Sequence, residues 1–302
     1  MNFKRLIEAP ILALLFLIIF AYAISGMQGF VASLTESASA NQLSASISGA
    51  AQNSAEQNFG AQQNEEPQIN AKAAISFETN LSGTSSTLFE KQSSQKLPIA
   101  SLTKLMTAIV VLDNYNLSDT AVVSAKADAQ SPMKQDVKPG QVMPVKNFLD
   151  IMLVGSSNKA AYTLADLMGV EKFVGLMNNK AQDIGLKNTF FVDPTGLSPQ
   201  NVSTASELAQ LTEYILKQYP QIAQISRIKE LYIPKFGNIV NTDDLLSEPV
   251  GAVFSKTGFT NEANGCLILA VKSSKNNDYI INVVLGADDR FAEMQKLISQ
   301  YQ

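Results

Sequence analysis

Serine and lysine residues three positions apart are the first candidates for chemistry in this chain of 302 residues. The sequence contains no histidine, which excludes Ser-His-Asp and Cys-His catalytic groups and any histidine-ligated metal site. A hydrolase built from this sequence therefore needs another base, and a lysine with a lowered pKa can take the proton of a serine. The Ser-x-x-Lys pattern occurs five times, at Ser93/Lys96, Ser101/Lys104, Ser131/Lys134, Ser156/Lys159 and Ser226/Lys229.

One of these pairs stands where an apolar helix begins, in the stretch PIASLTKLMTAIV. Ser101 and Lys104 would share one face of that helix, and a lysine in the first turn is unfavourable beside the positive end of the helix dipole. That field, together with burial, would lower the pKa of Lys104 toward the range of a usable base. The pattern therefore predicts Ser101 as nucleophile and Lys104 as base, although it also fits an N-cap serine without a chemical role.

Two further polar groups have the residue types to assist such a pair. In GSSNKAA, at the junction of two helical patterns, the Ser156 hydroxyl and the Asn158 amide could relay a proton and hold a lysine or a substrate carbonyl. In SKTGFT, on a late apolar strand, Lys256 would place a positive charge beside an extended ligand, and Gly258 would leave the backbone open to pair with it. Taken alone, the first group also fits a helix cap and the second an ordinary strand end.

Composition excludes several other classes of protein. A hydrophobic content of 46% and a charged content of 17% are ordinary for a globular protein with an apolar extra segment, and the net charge of −4 gives no indication of nucleic-acid binding. The single cysteine, Cys266, excludes an intramolecular disulfide and a Cys-x-x-Cys zinc site. We expect it to be a buried residue of the strand GCLILAV.

The N-terminal segment predicts export and membrane attachment. Basic residues in MNFKR precede an uncharged run from Ala9 to Thr35, and the next lysine or arginine is Lys72. Because basic residues favour the cytoplasmic side of a membrane, this asymmetry places the N-terminus in the cytoplasm and the rest of the chain outside. Residues 1–35 are predicted to be a cytoplasmic N-terminus with an uncleaved transmembrane anchor. A cleavable signal peptide is the alternative, because AYA at residues 21–23 resembles a cleavage site.

The elements that must position the candidate residues follow this segment. Residues 36–72 are rich in Ser, Ala, Gln and Asn and are predicted to be a disordered tether, and residues 73–302 to be the catalytic domain. Two strands in AAISFE and TLFEK precede a helical middle, where Thr204 and Glu207 form a predicted capping box. Three late apolar runs predict an antiparallel meander, followed by a C-terminal helix. This order predicts an α+β domain whose sheet joins distant parts of the chain.

The three polar groups are more specific together than any one of them is alone. Ser-x-x-Lys, Ser-x-Asn and Lys-Thr-Gly, in this order and on these elements, resemble the motifs of the penicillin-recognising serine hydrolases. The flanking stretches PIASLTKLMTA, PGQVMPVKNFLDIMLVGSSNKAAYTLA, TFFVDPTGLS, NVSTASELAQL, FSKTGFT, GCLILAV and VVLGADDR resemble the D-alanyl-D-alanine carboxypeptidase family, the low-molecular-mass penicillin-binding proteins of serine peptidase family S11. The resemblance covers about residues 73 to 292. It implies a β-lactamase/transpeptidase-like fold, an antiparallel sheet flanked by helices plus a mostly helical lobe.

The resemblance also implies roles for the first two motifs. Ser101 would be the acylated nucleophile and Lys104 its base. Ser156 would pass a proton to the leaving D-alanine, and Asn158 would orient Lys104 and the substrate amide.

The third motif would bind the substrate. Lys256, Thr257 and Gly258 would form the strand edge that holds the substrate and its terminal carboxylate. The backbone N–H groups of Ser101 and Phe259 would form the oxyanion hole, so the Phe259 side chain is free to vary.

The implied activity is removal of the terminal D-alanine from peptidoglycan stem peptides ending in D-Ala-D-Ala, without metal or cofactor and with β-lactams as covalent inhibitors. A D,D-endopeptidase of the same family and a non-catalytic wall-binding or β-lactam-sensing protein remain alternatives. The absence of a Glu-x-x-Leu-Asn segment between the second and third motifs disfavours a class A β-lactamase.

Two residues depart from the family pattern. Lys159 follows Asn158 where aspartate is common, so a supporting charge contact is expected to be absent or reversed. Asn264 precedes Gly265 where alanine is usual, which affects the packing expected after the substrate strand. Many members also carry a further β-rich domain and a C-terminal amphipathic anchor, whereas the present sequence stops soon after Arg290. We therefore expect anchoring through the N-terminal segment.

Overall fold

The computed structural model describes residues 66–302 except positions 135, 275 and 277. The strands, numbered in chain order, are β1 (Ala73–Thr79), β2 (Ser85–Lys91), β3 (Leu97–Pro98), β4 (Thr120–Val122), β5 (Val142–Pro144), β6 (Val202–Ser203), β7 (Glu230–Ile233), β8 (Gly237–Val240), β9 (Ala252–Thr260), β10 (Asn264–Lys272) and β11 (Tyr279–Ala287). The α-helices are α1 (Lys104–Asn114), α2 (Ala125–Asp128), α3 (Val145–Val154), α4 (Asn158–Asp166), α5 (Val170–Asp183), α6 (Ala205–Gln218), α7 (Pro220–Ser226) and α8 (Arg290–Tyr301). Short 3-10 helices cover Ala100–Thr103 and Asp244–Ser247.

The main sheet has five strands in the order β2-β1-β11-β10-β9, and every neighbouring pair is antiparallel. Strand β1 pairs with β11, with Ala73 opposite Leu285 and Thr79 opposite Tyr279. The sheet therefore joins the two ends of the described chain, and the predictions of an α+β domain and a late antiparallel meander are confirmed. Strand β9, which carries the Lys-Thr-Gly residues, lies at the edge of the sheet.

Both faces of the sheet are covered, because successive residues of β10 enter different cores. One set packs with α8 and consists of Leu267, Leu269 and Val271. The other set joins the large core shared with the remaining helices and consists of Cys266, Ile268 and Ala270. Alternate side chains of a strand point to opposite faces, so a strand covered on both faces is continuously apolar. The buried strand position predicted for Cys266 is confirmed.

Helix α1 is the centre of the helical lobe. Every residue from Lys104 to Val111 is buried, and the helix packs against α3, α4 and α5. A helix that is apolar on all sides is expected to be buried in this way. The 3-10 turn before α1 packs on the edge strand β9, so the N-terminal end of α1 lies where the helical lobe meets the sheet.

The capping box predicted for α6 is half correct. The Thr204 side chain accepts a hydrogen bond from the Glu207 backbone N–H at 3.1 Å, as expected of an N-cap. The Glu207 carboxylate, however, accepts hydrogen bonds from the backbone N–H of Asn188 and the hydroxyl of Thr189. Glu207 therefore fixes a neighbouring loop instead of closing the reciprocal box.

The last residues of the predicted tether pack on the domain. The side chains of Ile69 and Ala71 are buried with α8, and the Asn70 N–H donates to Glu293 Oε2 at 2.8 Å. The rest of the tether and the predicted anchor lie outside the described residues. Within residues 66–302, the three omitted positions apart, every helix is too short or too polar to cross a membrane.

Candidate active site

The predicted nucleophile lies in the 3-10 turn Ala100–Thr103, and the α-helix itself begins at Lys104. Lys104 Nζ lies 2.8 Å from Ser101 Oγ, within hydrogen-bonding distance. The N-cap of the turn is Ile99, without a side-chain cap, so the alternative that Ser101 is a helix cap is wrong. Ala100 adopts a φ of 46°, a conformation that L-residues rarely adopt, and such strain is concentrated at functional sites.

Lys104 is completely buried and its surroundings fit a neutral amine. Burial, and next the charge of Lys256, hold the pKa of Lys104 well below its usual range, against the opposing effects of Asp193 and Asp136. Besides Ser101, Nζ contacts Asn158 Oδ1 at 2.8 Å and the Thr195 carbonyl oxygen at 2.6 Å. A neutral amine has two N–H donors, which these two pure acceptors satisfy, and its lone pair then faces the Ser101 hydroxyl. The site therefore orients Lys104 as a base.

In the Ser-x-Asn segment, Ser157 caps a helix, while Ser156 and Asn158 lie in the cleft. Ser157 is the N-cap of α4, since its Oγ accepts from the Ala160 N–H at 2.9 Å. Ser156 has a φ of 57° and lines the cleft. The Asn158 side chain accepts a hydrogen bond from Lys104, and its Nδ2 donates one to the Ser131 carbonyl oxygen at 2.9 Å. The helix-cap interpretation thus applies to Ser157 and leaves both predicted residues in the site.

Lys256 reaches the site from β9 and is also buried. Its Nζ donates to Ser156 Oγ at 2.9 Å, which connects the second and third motifs. Burial, and next the positive charge of Arg290, lower the pKa of Lys256 to about 7, while Asp243 acts in the opposite direction. The neighbouring Thr257 hydroxyl is hydrogen-bonded to the Thr242 hydroxyl.

Gly258 lies where two backbone segments approach each other closely. A Cβ atom at this position would lie 3.1 Å from the Ile99 carbonyl oxygen and 3.2 Å from the Ser101 nitrogen. The glycine therefore lets the strand approach the turn that carries the nucleophile. The sequence prediction explained Gly258 by ligand pairing alone and did not anticipate this contact.

The predicted residues converge on one cleft with a cavity of about 130 Å³. Its walls include Ser101, Ser156, Asn158, Thr257, Gly258 and Phe259. Lys104 and Lys256 are buried beneath these walls and hydrogen-bonded to the serines above them. The Phe259 side chain is 57% exposed, and its predicted role in the oxyanion hole stays a prediction.

A turn that the sequence analysis used only as a landmark fixes the base. In DPTG, the Asp193 carboxylate accepts hydrogen bonds from the backbone N–H groups of Thr195, Gly196 and Ser198. This holds the Thr195 carbonyl against Lys104. Gly196 has a φ of 84°, and a Cβ there would lie 1.9 Å from the Ala100 carbonyl oxygen. The turn signal of Asp, Pro and Gly was present in the sequence, but its contact with Lys104 was not.

Arg290 is a second site residue that the sequence analysis did not assign. It lines the cleft, and its Nη1 lies 3.5 Å from the Gly258 carbonyl oxygen. Its buried Nε has no hydrogen-bond partner in the described part of the chain. With Lys256, this guanidinium makes the cleft positive beside Thr257 and suited to a carboxylate.

Both departures from the family pattern have local partners. Lys159 Nζ lies 2.6 Å from Asp128 Oδ1, so the charge contact expected to be absent or reversed is present in reversed form. Asn264, the first residue of β10, adopts a φ of 58°, which asparagine tolerates better than most residues. Its Nδ2 donates to Asp288 Oδ1 at 2.7 Å. Neither departure disrupts the cleft.

Comparison with known proteins agrees with this geometry. The profile of the D-alanyl-D-alanine carboxypeptidase family, Peptidase_S11, matches residues 60–289. The chain belongs to this family. The S11 assignment and the fold class inferred from the resemblance are therefore confirmed, and the protein is a serine hydrolase.

Similar proteins carry both carboxypeptidase and endopeptidase names. The D-alanyl-D-alanine carboxypeptidase DacF of Bacillus subtilis is 33% identical over 252 residues, which cover 77% of this S11 chain but 63% of the relative. The D-alanyl-D-alanine endopeptidase of Escherichia coli is 34% identical over 247 residues, covering 77% of each chain. Penicillin-Binding Protein D2 from Listeria monocytogenes, solved in the ampicillin-bound form, has a TM-score of 0.66 at 28% identity and covers 78% of this chain and 98% of that one.

Proposed function

We propose that this S11 protein is a serine-type D-alanyl-D-alanine carboxypeptidase that trims peptidoglycan stem peptides through an acyl-enzyme on Ser101. The contact between Lys104 Nζ and Ser101 Oγ carries the proposal, because two other acceptors orient the lysine lone pair toward the hydroxyl. Such a pair replaces the histidine-based activation that this sequence lacks.

Acylation uses both buried lysines. Ser101 Oγ attacks the carbonyl carbon of the penultimate D-alanine and gives its proton to neutral Lys104. The C–N bond then breaks, and the leaving amine takes a proton from the Ser156 hydroxyl, which is restored from the Lys256 ammonium 2.9 Å away. The positive charge thus passes from Lys256 to Lys104, and two buried cations need not persist side by side.

Hydrolysis reverses these proton transfers. Water occupies the position of the departed amine and gives a proton through Ser156 to the now neutral Lys256 as it attacks the acyl carbon. Ser101 Oγ leaves and recovers its proton from Lys104. Both lysines return to their starting states, as microscopic reversibility requires of groups that act once as acid and once as base.

The charges in the cleft account for recognition of a free C-terminus. Lys256 and Arg290 provide two cations beside Thr257, so the substrate's terminal carboxylate binds on the side where the amine departs. Penicillins also carry a carboxylate beside a reactive amide, and the Listeria relative was solved with ampicillin bound. We expect β-lactams to acylate Ser101 as well.

A fluorescent penicillin tests the proposal on the full chain. The adduct should map to Ser101, and Ser101→Ala should abolish it. Ser131→Ala is the matched control, because this serine belongs to another Ser-x-x-Lys match and its side chain is exposed, while the backbone carbonyl that holds Asn158 is retained. Labelling that survives Ser101→Ala, or no release of D-alanine from a pentapeptide by the wild type, would refute the carboxypeptidase assignment.

The non-catalytic alternative has lost its local support. Lys159, the local departure that would favour a wall-binding or β-lactam-sensing protein, pairs with Asp128 at 2.6 Å. The endopeptidase alternative is supported by similar proteins that carry the name D-alanyl-D-alanine endopeptidase.

We further propose that the catalytic domain acts outside the cytoplasmic membrane, tethered by residues 1–35 as a single-pass anchor. The proposal is supported by the basic residues before the apolar run, their absence until Lys72, and a substrate class that lies outside the membrane. Fractionation of cells that express the full chain tests it: the chain should stay with membranes after an alkaline wash. Release into the soluble fraction with a shortened N-terminus would favour a cleaved signal peptide.

A further inference from the structure

A buried carboxylate lies against the substrate strand, outside the cleft itself. The Asp243 side chain is 3% exposed, and its oxygens accept hydrogen bonds from the Leu245 backbone N–H at 3.0 Å and from the Ser255 hydroxyl. Both donors are uncharged. Among the residues that the structure describes, no lysine or arginine lies within ion-pair distance of this carboxylate. A buried charge without an ion pair is costly, so its presence needs a reason.

The other buried carboxylates of the described chain have evident local roles. Asp150 Oδ2 lies 2.6 Å from Lys146 Nζ. Glu293 Oε1 lies 2.8 Å from Lys296 Nζ. Glu207 accepts the hydrogen bonds that fix a neighbouring loop. The carboxylate against the substrate strand differs from these, because a neutral asparagine or serine can make its two hydrogen bonds equally well. Its charge is therefore the property that requires a function.

The position of this charge relates it to Lys256. Asp243 is hydrogen-bonded to Ser255, the residue before that lysine on β9. Its chain neighbour Thr242 is hydrogen-bonded to Thr257, the residue after it. Alternate side chains of a strand point to opposite faces, so the lysine side chain extends from the other face of β9 into the cleft. Residues 242 and 243 thus hold the strand on both sides of Lys256.

The two buried lysines of the site have separate counter-charges. The charged groups that act on them come from several elements: Arg290 of α8, Asp193 of the DPTG turn, Asp136 of the segment before β5, and Asp243 before the second 3-10 helix. Asp193 and Asp136 act on Lys104, which also faces the charge of Lys256. Asp243 is the carboxylate that acts on Lys256, against burial and the positive charge of Arg290.

The proposed reaction requires Lys256 to begin as an ammonium. In that form it attracts the substrate carboxylate and restores the proton that Ser156 gives to the leaving amine. Burial and the nearby guanidinium of Arg290 both favour loss of this proton. A fixed anion close to the two cations has the opposite effect, and burial keeps its field from being screened by solvent.

We propose that Asp243 is a positioning residue of the reaction, the buried counter-charge that keeps Lys256 protonated for carboxylate binding and for proton supply to Ser156. The inference rests on the proposed acyl-enzyme function. Asp243 touches neither the substrate nor the reacting atoms and acts through Lys256 alone.

Two neutral variants separate the charge of Asp243 from its hydrogen bonds. Asparagine and serine are both good N-cap residues, so Asp243→Asn and Asp243→Ser keep an acceptor for the Leu245 N–H. The Ser255 hydroxyl can donate or accept, so it keeps a partner in Asp243→Asn. Circular dichroism checks the fold, and the serine variant provides the test if the asparagine variant does not fold.

Removal of the charge should move the falling limb of the pH profile to lower pH. We expect the midpoint of the limb in kcat/KM for D-alanine release to shift down by about 0.5 to 1 pH unit, because an opposite charge nearby favours the ammonium. About one pH unit above the wild-type midpoint, release and penicillin acylation should then be roughly three- to tenfold slower than in the wild type, each relative to its own plateau. A C-terminal carboxylate stays ionised throughout this range, so the limb belongs to the enzyme.

Asp244→Asn is the matched control. It removes the neighbouring carboxylate, which is exposed to solvent, so its field is screened and the midpoint should stay within about 0.2 pH unit of the wild type. A merely structural role of Asp243 would lower the plateau of the profile or the stability and leave the midpoint in place.

The outcomes distinguish this inference from the proposed function. A midpoint that stays at its wild-type value in the neutral variants of Asp243 would overturn the inference, and so would an equal shift in Asp244→Asn. A wild type that is acylated at Ser101 but shows no falling limb would also overturn it, while the proposed function would stand. A wild type without Ser101 acylation would overturn the proposed function and the inference with it.

Discussion

Lys104 Nζ and the Thr195 carbonyl oxygen, 91 positions apart in sequence, lie 2.6 Å apart at the bottom of the cleft. Helix α1 supplies the lysine and the DPTG turn supplies the carbonyl. The Asp193 carboxylate holds this turn, and Gly196 packs it against Ala100, the residue before the nucleophile. The same turn thus positions the base and supports the backbone of the nucleophile.

Gly196→Ala should disrupt both functions of the turn. The new Cβ would meet the Ala100 carbonyl oxygen at 1.9 Å on a backbone with a φ of 84°, so we expect the free energy of unfolding to fall by about 3 kcal/mol, together with slower penicillin acylation. Denaturant titration and labelling rates measure the two effects. Gly175→Ala is the control, because this glycine lies inside α5 with open space around it, and alanine there should stabilise by about 0.5 to 1 kcal/mol. Equal behaviour of the two variants would contradict the close contact.

Lys104→Arg should leave a folded protein that acylates about 10² to 10⁴ times more slowly. Arginine stays protonated, so it cannot accept the proton of Ser101. Time courses with a fluorescent penicillin give the rate, and circular dichroism checks the fold. Lys126→Arg, on the short helix α2 away from the cleft, should acylate as the wild type does. A fast Lys104→Arg variant would mean that another group is the base.

The reaction should slow as pH rises through neutrality. Burial and the Arg290 charge lower the pKa of Lys256 to about 7, and above that pH the ammonium loses the proton with which it binds the substrate carboxylate and supplies Ser156. We expect kcat/KM for D-alanine release to fall above about pH 7, approaching tenfold per pH unit well beyond the pKa. In Lys256→Arg the falling limb should disappear, whatever the absolute rate, because the guanidinium stays charged. An unchanged limb in this variant would assign the titration to a different group.

The reversed charge pair near Asn158 should matter for activity as well as stability. Lys159 and Asp128 have side chains 14% and 37% exposed, so Lys159→Asp, which places two carboxylates together, should lower the free energy of unfolding by about 1 kcal/mol. Acylation should slow as well, because Lys159 adjoins Asn158, which holds Lys104. Adding Asp128→Lys should restore both the free energy of unfolding and the acylation rate.

A second ion pair provides the control for this prediction. Lys180 and Asp113 have side chains 24% and 31% exposed and lie 2.7 Å apart outside the cleft. Lys180→Asp should cost similar stability and leave the acylation rate unchanged. If Lys159→Asp, like Lys180→Asp, lowers the stability without changing the acylation rate, the pair of Lys159 and Asp128 has no influence on Asn158.

The local patterns of the sequence were sufficient for the elements, whereas the site residues were predicted from the resemblance of three ordered motifs to a known family. The continuous apolar run of β10, the apolar run of α1 and the Thr204 cap are properties of short segments, so they could be predicted without tertiary information. The cap at GSSN shows the limit of such patterns. Ser156 and Ser157 are equivalent in sequence, yet Ser157 caps α4, and Ser156, with a φ of 57°, contacts Lys256.

By itself, the sequence determined which chemistry was available: no histidine, one ordered set of Ser-x-x-Lys, Ser-x-Asn and Lys-Thr-Gly, and therefore a lysine base for Ser101. Only the tertiary structure decided that Thr195 completes the acceptors of that lysine, that Gly258 packs closely against the backbone of Ser101, and that Arg290 enters the cleft. The physical reason is that these relationships join residues far apart in the chain. Their distances and their burial are set by the packing of the helical lobe on the sheet, which a local pattern does not encode.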